Sequence, residues 1–155
     1  MIPEERIAVA PKPSSVSRVS GYALLWGEKN GPVANAKGKH IEIFRKGCFV
    51  ESILRGDVTG TIGFGDDAEV IGCRSDGRVR VVENDVGLWY EMTVPEGVSA
   101  EEMLSPASVR IVFQSKLPRG RGDAQGEKWS DGEDGQRVRE ILDADLVSVG
   151  IISKD

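Results

Sequence analysis

The chain has 155 residues, of which 39% are hydrophobic and 29% charged, and its formal net charge is −5. A chain of this length is expected to form one domain with a sizeable core, and the composition is typical of a globular protein. The negative balance argues against nucleic-acid binding, which needs clustered Lys and Arg. Two cysteines and one histidine argue against a structural zinc site, and no motif predicts a cofactor or another metal. The sequence shows no signal peptide and no apolar run of the roughly 18 residues that span a bilayer.

The first 17 residues are predicted to form an extended arm ahead of the folded domain. Residues 11–15 read Pro-Lys-Pro-Ser-Ser, and a proline restricts both its own backbone and that of the residue before it. The domain itself is therefore expected to occupy residues 18–155.

The segments between residues 18 and 152 have mainly the pattern of β-strands. Residues 78–83 begin by alternating charged residues with valine, directly after the turn signal Ser-Asp-Gly. The final apolar stretch is expected to break near Asp143. On these patterns we predict strands in six segments: 18–26, 40–44, 78–83, 88–94, 109–114 and 138–152.

Two short helices are predicted between the strands. Residues 48–55 have apolar positions at helical spacing, and residues 99–102, Ser-Ala-Glu-Glu, have the form of a capping box that would begin a second helix. Many short strands with two short helices are typical of small barrels. We therefore predict a mainly β fold: a closed or partly open antiparallel β-barrel flanked by helices.

A long Gly-rich loop is predicted at residues 118–136, between two apolar segments. It is rich in charged residues and holds one large apolar residue, Trp129. Loops of this length in a compact domain are usually functional or disordered, and an aromatic residue in a polar loop often anchors a partner. We therefore predict Trp129, Arg119 and Arg121 as candidate interface residues.

Several blocks of the sequence resemble, in order, the prohead (procapsid maturation) serine proteases of tailed phages. Residues 18–26, Arg-Val-Ser-Gly-Tyr-Ala-Leu-Leu-Trp, are similar to the opening strand of that family. Residues 42–49, Glu-Ile-Phe-Arg-Lys-Gly-Cys-Phe, resemble its Gly-Ala-Phe turn, with Cys48 in place of Ala. The Gly-Leu pair at residues 87–88 and the apolar residues 142–152 continue the likeness. The resemblance implies a fold similar to the herpesvirus assembly protease, a small β-barrel flanked by helices.

The resemblance also implies where a catalytic triad would lie. A serine hydroxyl becomes an effective nucleophile only when a base takes its proton and a third group orients that base. The family's histidine falls on Gly65 in this sequence, its serine on Ser108 and its acidic partner on Ser148. The chain therefore resembles a family member that has lost catalytic groups.

Other assignments of the triad stay open at this point. A shifted register places Arg110 instead of Ser108 at the nucleophile position, and Asp143 and Asp145 lie close to Ser148 in the sequence. Each of these shifts would change which groups of the triad are retained.

A replacement for the missing base is a further alternative. Lys116 follows Ser108 by eight residues and could serve in a Ser-Lys dyad. The only histidine, His40, is interpreted as a surface or strand-end residue that lies outside the site.

The function that we predict is that of a virion or capsid-assembly structural protein, such as a decoration or minor capsid protein, built on an inactive prohead-protease fold. Its expected partners are the major capsid protein, the scaffold or further copies of itself, without direct contact to nucleic acid or membrane. The expected location is the capsid, or the host cytoplasm during head assembly. One alternative is an active maturation protease that cleaves scaffold and capsid precursors. Another is an unrelated small β-barrel binding module.

Overall fold

A computed structural model describes residues 3–9, 18–35, 38–63, 69–93, 107–116 and 126–153. Within these ranges the chain forms twelve strands, one short α-helix and a 3-10 turn at Glu133–Gly135. The predicted mainly β fold with few helices is therefore confirmed. The elements in chain order are β1 (Glu4–Val9), β2 (Arg18–Leu25), β3 (Asn30–Asn35), β4 (Gly38–Phe44), α1 (Val50–Arg55), β5 (Thr59–Ile62), β6 (Glu69–Cys73), β7 (Val79–Glu83), β8 (Gly87–Thr93), β9 (Ala107–Ser115), β10 (Glu127–Asp131), β11 (Arg137–Ile141) and β12 (Ala144–Ser153).

The described strands form three separate sheets. The largest has the order β1-β9-β12-β5-β6, the second β10-β11-β4-β3, and the third β2-β8-β7. Most neighbours are antiparallel, but β11 runs parallel to β4 and β12 parallel to β5. Because the strand pairing does not continue from one sheet to the next, the predicted barrel is not confirmed.

The core lies where the three sheets face one another. Its centre is a cluster of fully buried rings, Phe44 from β4, Phe49 before α1 and Phe113 from β9. Their ring centroids are 5.3–6.5 Å apart, which is the usual range for aromatic pairs. Alternate residues of β8 join them, because Leu88, Tyr90 and Met92 are fully buried.

A half-buried carboxylate holds the turn that precedes α1. Glu83 accepts hydrogen bonds from the backbone amides of Gly47 and Phe49, at 2.8 and 3.2 Å. Burial raises the pKa of Glu83, although these amides and Lys46 oppose that effect. The helix then packs on β12, where the Ser52 hydroxyl accepts a hydrogen bond from the Leu146 amide at 2.8 Å.

The Gly-Leu pair of the sequence motif has a steric reason at Gly87. A Cβ atom at this position would lie 2.0 Å from the Leu24 carbonyl oxygen. The start of β8 can therefore approach the end of β2 only because residue 87 lacks a side chain. Gly87 of this motif therefore has a structural role, in the packing of β8 against β2.

Several predicted boundaries differ from those of the structure. Within the predicted arm at residues 1–17, β1 is a strand of the largest sheet. Within the predicted loop at 118–136, β10 pairs with β11 in the second sheet. The predicted helix at residues 48–55 is confirmed by α1, and the break near Asp143 separates β11 from β12. The second predicted helix, at residues 99–102, lies outside the described residues.

Candidate functional site

One end of the largest sheet brings the start of β9, which carries Ser108, close to the end of β5. The Gly63 amide donates a hydrogen bond to the Ile151 carbonyl oxygen at 2.9 Å, and Ile152 pairs with Ser108 on β9. The end of β5 and the start of β9 therefore lie on either side of β12, separated by about 10 Å, which is two strand spacings. Residues 64–68, which include Gly65, follow Gly63 and lie outside the described residues.

Ser148 lies further along the same sheet. It pairs with Val112 on β9 and with Thr59 on β5, four residues along β12 from Ile152. That offset corresponds to about 13 Å along the strand. The backbone thus brings the start of β9 close to the end of β5, and it does not bring Ser148 to that end of the sheet.

His40 is a fully buried residue of β4, so its interpretation as a surface residue is wrong. Its Nε2 lies 2.9 Å from a carboxylate oxygen of Glu42, and its Nδ1 lies 2.8 Å from the Gly38 carbonyl oxygen. Both partners are hydrogen-bond acceptors, and they occupy the two nitrogens of the ring. The described contacts of His40 therefore include no serine hydroxyl.

The carboxylate beside His40 belongs to a cluster of charged side chains inside the protein, which we call the buried ion network. Its centre is Arg139 of β11, which is fully buried, as is Glu42 of β4. Its members come from β1 of the largest sheet and from β4, β10 and β11 of the second sheet. They are three carboxylates, two guanidiniums and one imidazole: Glu4, Glu42, Glu127, Arg6, Arg139 and His40.

Arg139 contacts all three carboxylates of this network. Its Nη1 donates to Glu4 at 3.0 Å and to Glu42 at 2.9 Å, and its Nε donates to Glu127 at 2.7 Å. Its Nη2 donates to Glu4 at 2.8 Å and to the Ser115 hydroxyl at 3.2 Å. A buried guanidinium is tolerated only when its donors are paired in this way.

Arg6 completes the network from the edge of the largest sheet. Both its Nε and its Nη2 donate to the carboxylate of Glu42, and Nη2 also donates to Glu4 at 3.1 Å. The Arg6 guanidinium lies 5.3 Å from the ring centroid of Phe113. The network thereby links β1 to the second sheet through side chains.

Two carboxylates of the network, Glu42 and Glu127, are held in their ionised form. Burial alone would raise the pKa of Glu42, but hydrogen bonds from Arg6 and His40 lower it below its usual value. Burial would likewise raise the pKa of Glu127, but hydrogen bonds from Trp129 and Arg139 lower it to about 2. Such groups stabilise structure, and they are too acidic to act as general bases near neutral pH.

Trp129, a candidate interface residue, packs against the buried ion network. Its indole N–H donates to Glu127 at 2.9 Å, and its ring meets the His40 ring edge to face, with centroids 4.9 Å apart. The Arg137 guanidinium covers the ring at 4.3 Å from its centroid. Trp129 is half-buried. The other two candidate residues, Arg119 and Arg121, lie outside the described residues.

Lys116 lies at the far end of β9 from Ser108. Eight residues of strand separate them, or about 26 Å. The Lys116 ammonium contacts Glu51 at 2.8 Å and Asp143 at 3.2 Å. The hydrogen bond with Glu51, followed by that with Asp143, raises the pKa of Lys116. The alternative of a dyad between Ser108 and Lys116 is therefore excluded by distance and by charge.

The described residues offer neither a reactive cysteine nor a metal site. Cys48 is fully buried, and burial raises the pKa of its thiol, so this residue of the turn motif is unreactive packing. Within the described residues, no cluster of three or more His, Cys, Asp or Glu is placed to hold a metal ion. The described part of the chain also contains no helix with the length and apolar character of a membrane span.

Sequence reasoning missed the buried ion network, although a weak signal was present. Glu42 lies two residues before the buried Phe44 in β4, and Arg139 lies two residues before the buried Ile141 in β11. Residues two apart in a strand share a face. Glu42 and Arg139 are therefore expected on the same buried face as Phe44 and Ile141. The sequence alone gave no indication that the inward charges of different strands would meet.

Sequence blocks and fold together define a mainly β, protease-like domain. The family model of the caudovirus prohead serine proteases matches residues 7–154, nearly the whole chain. The chain belongs to this family. A search of curated proteins and a search of solved structures each gave no match. The alternative of an unrelated β-barrel module is therefore wrong, and the family indicates a role related to phage capsid assembly.

Proposed function

We propose that this chain is a phage virion or capsid-assembly structural protein built on an inactive prohead-protease fold. The observation that carries the proposal is Gly65, which occupies the position where the family resemblance expects the histidine base. A glycine has no side chain that could take a proton from a serine. The fold would be kept for its surfaces, since binding and catalysis are separable properties of a fold.

The surroundings of the two other candidate bases support this proposal. His40 is the only histidine of the chain, and its two ring nitrogens already serve Glu42 and the Gly38 carbonyl. Lys116 contacts two carboxylates at the opposite end of β9 from Ser108. Loss of the base alone lowers turnover by on the order of a millionfold when a triad acts as a unit.

The partners that we propose are the major capsid protein, the scaffold or further copies of this chain, in the capsid or in the host cytoplasm during head assembly. Trp129, Arg119 and Arg121 are the proposed contact residues. The Arg137 guanidinium over the Trp129 ring supports this, because Trp and Arg are enriched at the energetic centres of interfaces. A decoration or minor capsid protein would be present intact, at many copies, in purified mature particles.

One observation favours a second candidate function, that of an active maturation protease. The start of β9, with Ser108, lies at the same end of the sheet as the end of β5, and Gly65 follows that strand by three residues in the sequence. The family itself consists of serine proteases. In this candidate function Ser108 remains the nucleophile and an unassigned group acts as its base.

A serine-directed fluorophosphonate probe separates the two functions. For an inactive protein we expect no labelling of Ser108, because the hydroxyl is not activated. The matched variant is Gly65→His, which returns an imidazole to the position where the family resemblance expects it. Labelling of the unmodified protein that is lost in Ser108→Ala would overturn the proposal.

A further inference from the structure

The three-stranded sheet turns one face away from the core. In β2, β8 and β7, buried residues alternate with residues that are half-buried or exposed. Side chains of successive strand residues point to opposite faces, so the latter set shares one surface. The strand register arranges it in three rows, which we call the outer face: Arg18 and Thr93; Ser20, Glu91 and Arg80; and Tyr22, Trp89 and Val82.

Positive charge collects at one end of the outer face. A groove of about 260 Å³ is lined there by Arg18, Arg78 and Arg80, together with Glu91 and Thr93. Arg80 Nη1 lies 3.8 Å from Glu91 Oε2, and the Arg80 side chain is 69% exposed. The lining holds three guanidiniums and the Glu91 carboxylate, and the Asp76 carboxylate interacts with Arg78 beside it. The groove therefore keeps a positive surplus although the chain as a whole is negative.

Two aromatic rings lie beside the arginine groove and are held in fixed orientations. The Tyr22 and Trp89 rings meet edge to face, with centroids 4.9 Å apart. The Tyr22 hydroxyl accepts a hydrogen bond from Asn84 at 2.9 Å, and the Trp89 indole donates to Glu91 at 3.3 Å. Because these contacts fix both rings in the free protein, a partner that packs on them loses little conformational freedom in the protein.

The composition and geometry of the outer face favour a protein partner over nucleic acid. Trp, Tyr and Arg are the residues enriched where protein interfaces gain most of their energy. The Tyr22 and Trp89 rings meet edge to face at 78°, so they do not form two parallel platforms on which successive bases could stack.

We propose that the outer face docks an acidic segment of a protein partner. Carboxylates of that segment pair with Arg18 and Arg80, and an adjacent apolar side chain packs on Tyr22 and Trp89. Guanidiniums bind carboxylates through paired hydrogen bonds, which gives such a groove its preference for Asp and Glu. This inference deepens the proposed function. It rests on that function for one point, namely that the partner is a protein of the phage head.

Fluorescence anisotropy with defined probes tests this docking surface. The probe is a short fluorescein-labelled peptide of Glu, Leu and Gly, and the comparison probes are the same peptide with Lys for Glu, and oligothymidylate. In the full chain, the double variant Arg18→Gln/Arg80→Gln should weaken binding of the acidic peptide about tenfold. The matched variant Arg55→Gln/Lys128→Gln removes the same charge elsewhere and should change the Kd less than twofold.

Three outcomes would overturn the inference: equal weakening in both double variants, equal binding of the Lys peptide, or tighter binding of oligothymidylate. Circular dichroism of both variants verifies that they are folded. The proposed function fails separately. If the chain cleaves head precursors, the proposed catalytic inactivity is wrong. If the Arg18→Gln/Arg80→Gln variant of that active chain still binds the acidic peptide more weakly, the inference about the docking surface stands.

Discussion

Arg139 is the residue on which the buried ion network depends. Its guanidinium is the shared partner of Glu4, Glu42 and Glu127. The variant Arg139→Ala leaves buried carboxylates without that partner, and breaking a buried ion pair in this way costs about 3–5 kcal/mol. We expect a loss of this size in the free energy of unfolding, measured by urea denaturation.

The matched control for this substitution is Arg45→Ala. Arg45 pairs with Glu140 at 3.0 Å, but its side chain is 45% exposed. Exposed pairs contribute roughly 0–1 kcal/mol, so Arg45→Ala should leave the unfolding curve nearly unchanged. Similar losses in the two variants would contradict the role that we assign to burial.

The lowered pKa of Glu127 predicts how stability depends on pH. Its folded-state pKa of about 2 lies below the ordinary value of 4.5. The stabilisation is therefore fully present above about pH 4.5 and is lost as the pH falls toward 2, because the unfolded chain takes up the proton first. In Glu127→Gln we expect the urea midpoint to depend less on pH in this range.

The control for the pH experiment is Glu69→Gln, which removes an exposed carboxylate on β6. This variant should follow the unmodified chain across the same pH range. If Glu127→Gln loses stability on acidification as steeply as Glu69→Gln does, the ion contacts of Glu127 make no measurable contribution to the pH dependence of stability. That result would contradict the prediction.

Among the strands, β1 contributes charged side chains to the interior. Arg6 reaches Glu42 across the interface between two sheets, while its neighbour Ile7 is 62% exposed. We expect Arg6→Ala to lower the free energy of unfolding by roughly 3 kcal/mol, since it leaves the Glu42 carboxylate short of a partner. Thermal unfolding gives the measurement.

Ile7→Ala is the neighbouring control for Arg6→Ala. An exposed substitution away from specific contacts changes stability by about 0.5 kcal/mol or less. An Ile7→Ala loss that matches the loss in Arg6→Ala would indicate that β1 is held by its backbone pairing and apolar contacts, and that the charged side chains add little.

The same strand shows why some elements could not be predicted. The strand at residues 78–83, which contains β7, is predicted because valine alternates with charged residues along its first part. In β1 the buried network uses Glu4 and Arg6, and in β10 it uses Glu127, so no apolar alternation marks either strand. A pattern that assigns charged residues to solvent therefore predicts an arm and a loop at these positions.

For the molecule as a whole, the order of motifs predicted more than any single motif did. The succession of blocks predicted the family, and the match over residues 7–154 confirms it. The separation of strands into three sheets could not be predicted, because it depends on long-range register that local patterns do not encode. The proximity of Ser108 to the end of β5 could not be predicted either, because it depends on the pairing of β5 and β9 with β12.

The central claim is that this prohead-protease fold lacks a working base, and cleavage of head precursors tests it most directly. Purified protein is incubated with the scaffold and capsid precursors of its own phage, and intact mass is followed over time. We expect no cleavage above the rate of precursors alone, and no difference between the unmodified chain and Ser108→Ala. Specific cleavage by the unmodified chain that disappears in Ser108→Ala would contradict the claim.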